Sequence, residues 1–144
     1  MPSTPAYQRK IRRRWKAAGL CSMCGVGTPR KGLLTCKDCE IRYREYHQRL
    51  KHQVLQGYGE KCVCCGITIY EFLSLDHKNN DGKKDRIQLG SGMTSGALYR
   101  RIIRLGFPKK YQVMCYNCNM SLAFFGYCPH RPHIKRSIRK RARR

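Results

Sequence analysis

The sequence predicts a small α+β protein whose fold depends on clustered cysteines. The chain has 144 residues, which is enough for one modest domain or two very small ones. Ten residues are cysteine, and eight of these ten form four C-x-x-C pairs. Short helical and strand patterns lie around these pairs, and aliphatic residues for a large core are scarce.

The charge of the chain indicates a polyanionic partner. Lys and Arg number 31 against 8 Asp and Glu, so the formal net charge is +23 at pH 7. Such a charge repels itself and favours binding to nucleic acid. It argues against a metabolic enzyme acting on a small neutral substrate. The basic residues concentrate at both ends, so we expect the folded body between residues 57 and 130 and a disordered basic tail over residues 131–144.

The N-terminal region predicts two helices. Residues 5–18 form a basic helical pattern that Gly19 ends, and residues 40–55 form a second one. Gly57 and Gly59 follow and are a candidate hinge. Residues 1–56 are therefore expected to hold a basic helix, a cysteine-rich segment and a linking helix.

The central region predicts alternating short elements. Residues 70–75 and 111–115 have the composition of strands. A polar loop is expected over residues 76–94, followed by an amphipathic helix over residues 97–105. A last helix is expected over residues 117–125.

The cysteines indicate zinc rather than disulfides. The N-terminus lacks the apolar segment of a secretory signal, and no stretch approaches the ~18 apolar residues of a membrane span. We therefore expect an intracellular protein that is neither secreted nor embedded in a membrane. Paired C-x-x-C motifs in that setting are typical of structural zinc sites.

The first predicted zinc site is compact. Eleven residues separate its two C-x-x-C pairs, a spacing typical of a zinc ribbon. A C-x-x-C pair that binds zinc forms a tight turn, called a zinc knuckle. Gly25 suits the left-handed backbone conformation that such a knuckle often needs. Four thiolates leave no open coordination position, so the predicted role is structural. The ligands are Cys21, Cys24, Cys36 and Cys39.

The second predicted zinc site joins distant segments. Forty-nine residues lie between its two pairs, and Gly66 repeats the glycine after the knuckle. Because C-V-C-C allows a second register through Cys64, we prefer the register with the two-residue gap. Cys128, His130 and His133 could supplement a metal site, but a spare thiol and two tail histidines are the favoured interpretation. The predicted ligands are Cys62, Cys65, Cys115 and Cys118.

Catalytic chemistry is predicted between these pairs. Asp76 and His77 end the first strand pattern, and Asn119 directly follows the last C-x-x-C. A shared zinc would place Asn119 at the start of a helix near Asp76. Carboxylate and amide oxygens are hard ligands that suit Mg²⁺ or Mn²⁺. His77 could then take a proton from water beside that ion.

These motifs resemble the HNH endonucleases, which have the ββα-metal fold. The matching blocks are L-D-H-x-N-x-D-G at residues 75–82 and Q-V-M-C-Y-N-C-N at residues 112–119. The resemblance covers about residues 60–130, and the placement of C-x-x-C on either side of D-H makes it specific. It is closest to the zinc-stapled phage type, which includes recombination endonucleases that resolve Holliday junctions. The expected compartment is accordingly the cytoplasm of a bacterium or a phage-infected host.

The resemblance implies roles for individual residues. Asp76 and Asn119 would hold one divalent ion on the scissile phosphate, and His77 would be the general base. Lys110 stands where HNH proteins often carry Asn, so Asn79 or Asn80 could supply that polar contact. Related proteins often have His near the position of Asp85, which could here be a further metal ligand or a surface acid.

Two basic clusters are predicted to contact phosphates. Backbone contacts of this kind hold nucleic acid without reading its sequence. The expected partner is DNA, including branched or single-stranded forms, and RNA is an alternative. A non-catalytic zinc-ribbon protein that binds nucleic acid is the competing function. The clusters are Arg12, Arg13, Arg14 and Lys16 in the first helix, and Arg100, Arg101 and Arg104 in the amphipathic helix.

Overall fold

The computed structural model describes residues 4–79, 81–88 and 94–135. Over these residues the chain is a small α+β protein with five α-helices and two antiparallel two-stranded sheets, which confirms the predicted class. The chain divides into two compact units, Met1–Gln48 and Arg49–Arg144. Each unit is described by itself below.

The first unit is built on helices and a cysteine cluster. Helix α1 spans Pro5–Ala17, and the Thr4 side chain caps it by accepting a hydrogen bond from the Tyr7 backbone N–H. No residue of α1 is buried. Helix α2 spans Lys37–Gly57, so it begins directly after Cys36. Cysteine side chains form the buried core of this unit.

The second unit contains the end of α2 and the remaining elements. A short 3₁₀ turn at Tyr70–Phe72 leads into the first strand. The elements that follow are β1 (Leu73–His77), α3 (Gly82–Gln88), α4 (Ser95–Arg104), β2 (Tyr111–Cys115), α5 (Tyr116–Phe125), β3 (Tyr127–Cys128) and β4 (Arg131–Lys135).

An antiparallel β1–β2 pair forms the centre of this unit. Its register runs from Leu73 opposite Cys115 to His77 opposite Tyr111. Buried side chains of both strands pack with Leu122 of α5. A second cluster joins Tyr111 to α2 and α4. At the end of this pair, Asp76 lies opposite Gln112 and His77 lies opposite Tyr111.

Two elements differ from their predicted bounds. The strand expected at residues 70–75 begins at Leu73 and continues to His77, because Asp76 and His77 pair with β2. The loop expected over residues 76–94 contains α3. The sequence pattern did not indicate this helix because it has no apolar periodicity. Its buried side chain is the carboxylate of Asp85.

The segment after Cys128 also differs from its prediction. Residues 131–135, expected to belong to a disordered tail, form β4 and pair with β3. The physical reason is the short turn at residues 129–130, which folds the chain back onto the buried Cys128. Residues 136–144 of the predicted tail lie outside the described residues.

Within the described ranges, every helix is too short or too polar to cross a membrane. The longest, α2, has 21 residues and carries several charged side chains.

Gly57 gives a test of packing in the second unit. A Cβ atom at this position would overlap the Phe107 ring, so Gly57 is packed rather than a free hinge. We expect Gly57→Ala to lower the free energy of unfolding by about 1–3 kcal/mol, measured by urea denaturation. The penalty should disappear in a Phe107→Ala background. An equal penalty in both backgrounds would contradict this packing.

Candidate functional site

The four cysteines of the first predicted zinc site converge in the first unit. Their sulfur atoms all lie within 4.8 Å of one another. The Cys24 and Cys36 sulfurs are 3.9 Å apart. A tetrahedral zinc ion with Zn–S bonds of about 2.3 Å separates its sulfur ligands by about 3.8 Å. Cys21, Cys24, Cys36 and Cys39 therefore fit a metal ion, as predicted.

Backbone N–H groups surround the sulfurs of this first cluster. The N–H groups of Met23 and Cys36 donate to the Cys21 sulfur at 3.4 and 3.3 Å. Burial raises the pKa of the Cys21 thiol, but backbone donors outweigh it and lower the pKa to about 6. Gly25 adopts a φ of 70°, which confirms the expected left-handed turn.

The second cluster forms in the register that we preferred. The sulfurs of Cys62, Cys65, Cys115 and Cys118 lie within 4.8 Å of one another. The Cys65 and Cys115 sulfurs are 3.7 Å apart, which again matches tetrahedral zinc. None of the ten cysteines, all within the described ranges, forms a disulfide.

Cys115 connects this cluster to the strands and to the last helix. It is the last residue of β2, and its sulfur caps α5 by accepting a hydrogen bond from the Cys118 N–H. The Val63 N–H donates to the Val113 carbonyl at 3.0 Å, so the knuckle is also joined to β2. A metal ion here would therefore fix the junction between β2 and α5.

Asp76 lies at the end of β1 and is buried. Its Oδ2 accepts a hydrogen bond from Gln112 Nε2 at 2.9 Å, and only 8% of the residue is exposed. Gln112 is directly opposite Asp76 in the strand register. Gln112 lies in the second motif block, which was a signal, but no role was predicted for it from the sequence.

His77 is held by the carboxylate of Asp85, a residue of α3. Its Nε2 is 3.0 Å from Oδ2 of Asp85, and its ring packs edge-to-face against Tyr111 at 4.8 Å. Asp85 is only 6% exposed, so it is not a surface acid. Its oxygens also accept hydrogen bonds from Lys110 Nζ and the Tyr111 hydroxyl, which leaves little room for a metal ion.

The Asp85 network shifts the pKa values of its members. Burial raises the pKa of Asp85, but hydrogen bonds from Lys110, Tyr111 and His77 outweigh burial and place the pKa well below its usual value. Burial and the Asp85 contact raise the pKa of Tyr111. The network therefore keeps a carboxylate charged beside His77.

Asn119 and Asn80 are the other two predicted catalytic residues. Asn119 lies in α5, which begins at Tyr116 with Cys115 as its cap, so Asn119 is one turn inside the helix rather than at its start. Helix α5 contacts β1 and β2. The convergence of Asn119 with Asp76 and His77 stays a prediction. Asn80 lies outside the described residues.

The basic residues predicted to bind phosphates lie on exposed helical surfaces. The four in α1 and the three in α4 are all exposed. The α4 residues lie on the same short helix as Ile102, which is buried against β2 and α2. The exposed residues are Arg12, Arg13, Arg14 and Lys16 in α1, and Arg100, Arg101 and Arg104 in α4.

The Asp85 network can be tested by its effect on stability. We expect Asp85→Ala to destabilise the second unit by about 1–3 kcal/mol, because the buried Tyr111 hydroxyl loses its acceptor. In a Tyr111→Phe background the cost should be smaller, since no hydroxyl is then left without a partner. The free energies of unfolding of the four proteins measure this coupling. Additive costs would contradict the network.

Comparisons of the chain with protein-family models, curated proteins and solved structures gave no match in any of the three.

Proposed function

We propose that the chain is a metal-dependent endonuclease of the HNH type that hydrolyses DNA phosphodiester bonds. The observation that carries this proposal is the arrangement of β1, β2 and α5. Two paired strands are followed directly by a helix, and the first strand ends in Asp76 and His77. Asn119 lies on that helix. This order of elements and residues supports a ββα-metal site.

Asp76 and Asn119 are the proposed ligands of one Mg²⁺ or Mn²⁺ ion. A carboxylate and an amide oxygen are suitable donors for either ion. Gln112 Nε2 donates to Asp76, which would orient the carboxylate as outer partners do at known metal sites. A bound ion would stabilise the charge that develops on the scissile phosphate and the leaving oxygen.

His77 is the proposed general base. Asp85 lies at Nε2, so it favours the tautomer that carries its proton there and leaves Nδ1 free to accept a proton from water. Gly82 lies beside that nitrogen. A Cβ atom at this position would be 3.0 Å from Nδ1, so the glycine keeps this edge of the ring clear.

The two departures from the HNH pattern contact each other. Lys110 replaces the frequent Asn and Asp85 replaces the frequent His, and their side chains form an ion pair. Asp85 also contacts His77. We infer that the two residues act together, with Lys110 keeping Asp85 charged and Asp85 orienting the base.

The charge of the chain supports nucleic acid as the substrate. The formal net charge is +23, and α1 has exposed basic residues with none buried. Phosphate contacts by such residues release counterions, so binding should weaken steeply as salt rises. These observations fit the competing function, binding without cleavage, equally well. Only the residues around His77 favour hydrolysis.

Cleavage distinguishes the two functions. With Mg²⁺ or Mn²⁺, we expect the wild-type protein to nick supercoiled plasmid and His77→Ala to do so about 10²–10⁴-fold more slowly. His52→Ala is the matched control, because His52 is a half-exposed histidine of α2 that pairs with Glu60. The control should nick at the wild-type rate.

Binding gives the second measurement for the same variants. His77→Ala should bind DNA at a fixed salt concentration as the wild type does, since the substitution removes no basic contact to phosphate. Nicking by His77→Ala at the wild-type rate would refute its role as base. If the wild type binds DNA as tightly as His77→Ala does but shows no metal-dependent nicking, the non-catalytic function would be favoured.

A further inference from the structure

A third group of metal-binding side chains lies beside the second cluster. Cys64, Cys118, Cys128 and His130 have their ligand atoms within 4.8 Å of one another. They come from the knuckle, from α5, from β3 and from the turn before β4. The sequence favoured a spare thiol at Cys128 and a tail histidine at residue 130, so this convergence was not expected.

The distances in this group match those of a metal site. The Nδ1 atom of His130 is 3.4 Å from the sulfur of Cys118 and 3.4 Å from the sulfur of Cys128. A tetrahedral zinc ion, with bonds of about 2.3 Å to sulfur and 2.0–2.1 Å to nitrogen, separates such ligands by about 3.6 Å. Three sulfurs and one imidazole are a common ligand set for structural zinc.

Cys118 belongs to both groups. Its sulfur lies with the other three cysteines of the second cluster and also with Cys64, Cys128 and His130. A thiolate sulfur has more than one lone pair, so it can bind two metal ions at once. Cys118 is fully buried and lies in the first turn of α5.

We propose that the second unit holds two zinc ions bridged by the thiolate of Cys118. One ion would be bound by Cys62, Cys65 and Cys115, and the other by Cys64, Cys128 and His130. This proposal does not depend on nuclease activity.

The charge balance is compatible with a second ion. One zinc ion with four thiolates has a net charge of −2. A second ion adds two positive charges together with the thiolates of Cys64 and Cys128, while His130 is neutral. The centre with two ions therefore keeps a net charge of −2. The two negative charges of the Cys64 and Cys128 thiolates are balanced by the two positive charges of the second ion.

The second ion would also explain why β3 and β4 are ordered. A two-stranded hairpin is at best marginally stable by itself in water. Strand β3 has two residues, and Cys128 is one of them. His130 lies in the turn that leads to β4. A metal bound to both residues would attach this hairpin to α5 and thereby fix where the basic C-terminal segment begins.

The number of zinc ions per chain tests the proposal. The full chain, purified with reductant and dialysed against metal-free buffer, should retain three equivalents of zinc by mass spectrometry of the metal. Two of these would be in the second unit and one in the first. Cys128→Ser and His130→Ala should each retain two equivalents, whereas the control His52→Ala should retain three.

Cadmium substitution gives a test that needs no variant. The ¹¹³Cd spectrum of the wild-type protein should show three resonances, two of them split by coupling through the shared sulfur of Cys118. This outcome would support the bridge even if Cys128→Ser fails to fold. Two equivalents of zinc in the wild type, with two uncoupled cadmium resonances, would overturn the proposal.

Discussion

The convergence of Cys62, Cys65, Cys115 and Cys118 is the constraint on which the second unit depends. Cys115 ends β2, caps α5 and contributes its sulfur to the cluster. Three of these cysteines, together with Cys128, make up almost half of the buried residues in the surrounding core. Metal binding in small domains of this kind supplies folding energy on the order of 10 kcal/mol. With metal bound at this cluster, the position of β1, and with it Asp76 and His77, would depend on that ion.

A second constraint is electrostatic. A buried carboxylate is unfavourable unless partners compensate for its lost hydration. Asp85 has three such partners, Lys110, Tyr111 and His77. The arrangement joins α3 to the end of the strand pair and fixes the imidazole ring. It also explains how a polar helix without an apolar face is attached to the protein.

Strand composition and cysteine spacing can be read from short stretches of sequence, and the features that depend on them were predicted. Strand β2 lies at the predicted residues, Tyr111–Cys115, and both four-cysteine clusters form as the spacing indicated. Helix α3 was not predicted because its buried residue is Asp85, whose ion network has no periodic pattern in the sequence. The group around Cys118 was not predicted either, because its ligands lie on separate elements that approach each other only in the folded chain.

For the candidate catalytic residues too, the sequence predicted neighbours along the chain but not contacts made in the folded protein. The adjacency of Asp76 and His77 was evident from the motif, but the partners of each residue depend on strand register. Gln112 lies opposite Asp76, and Tyr111 lies opposite His77. The roles of these partners could be assigned only after that register was known.

Amide hydrogen exchange of a Cys65→Ser variant tests the central constraint most directly. Cys65 is exposed, so this substitution removes a metal ligand with little loss of packing. The account predicts that β1, β2 and α5 lose protection together, whereas the control Val63→Ser, at an exposed neighbouring position, keeps it. Wild-type protection of these elements in Cys65→Ser would contradict the claim that the cysteine cluster holds the strand pair and helix together.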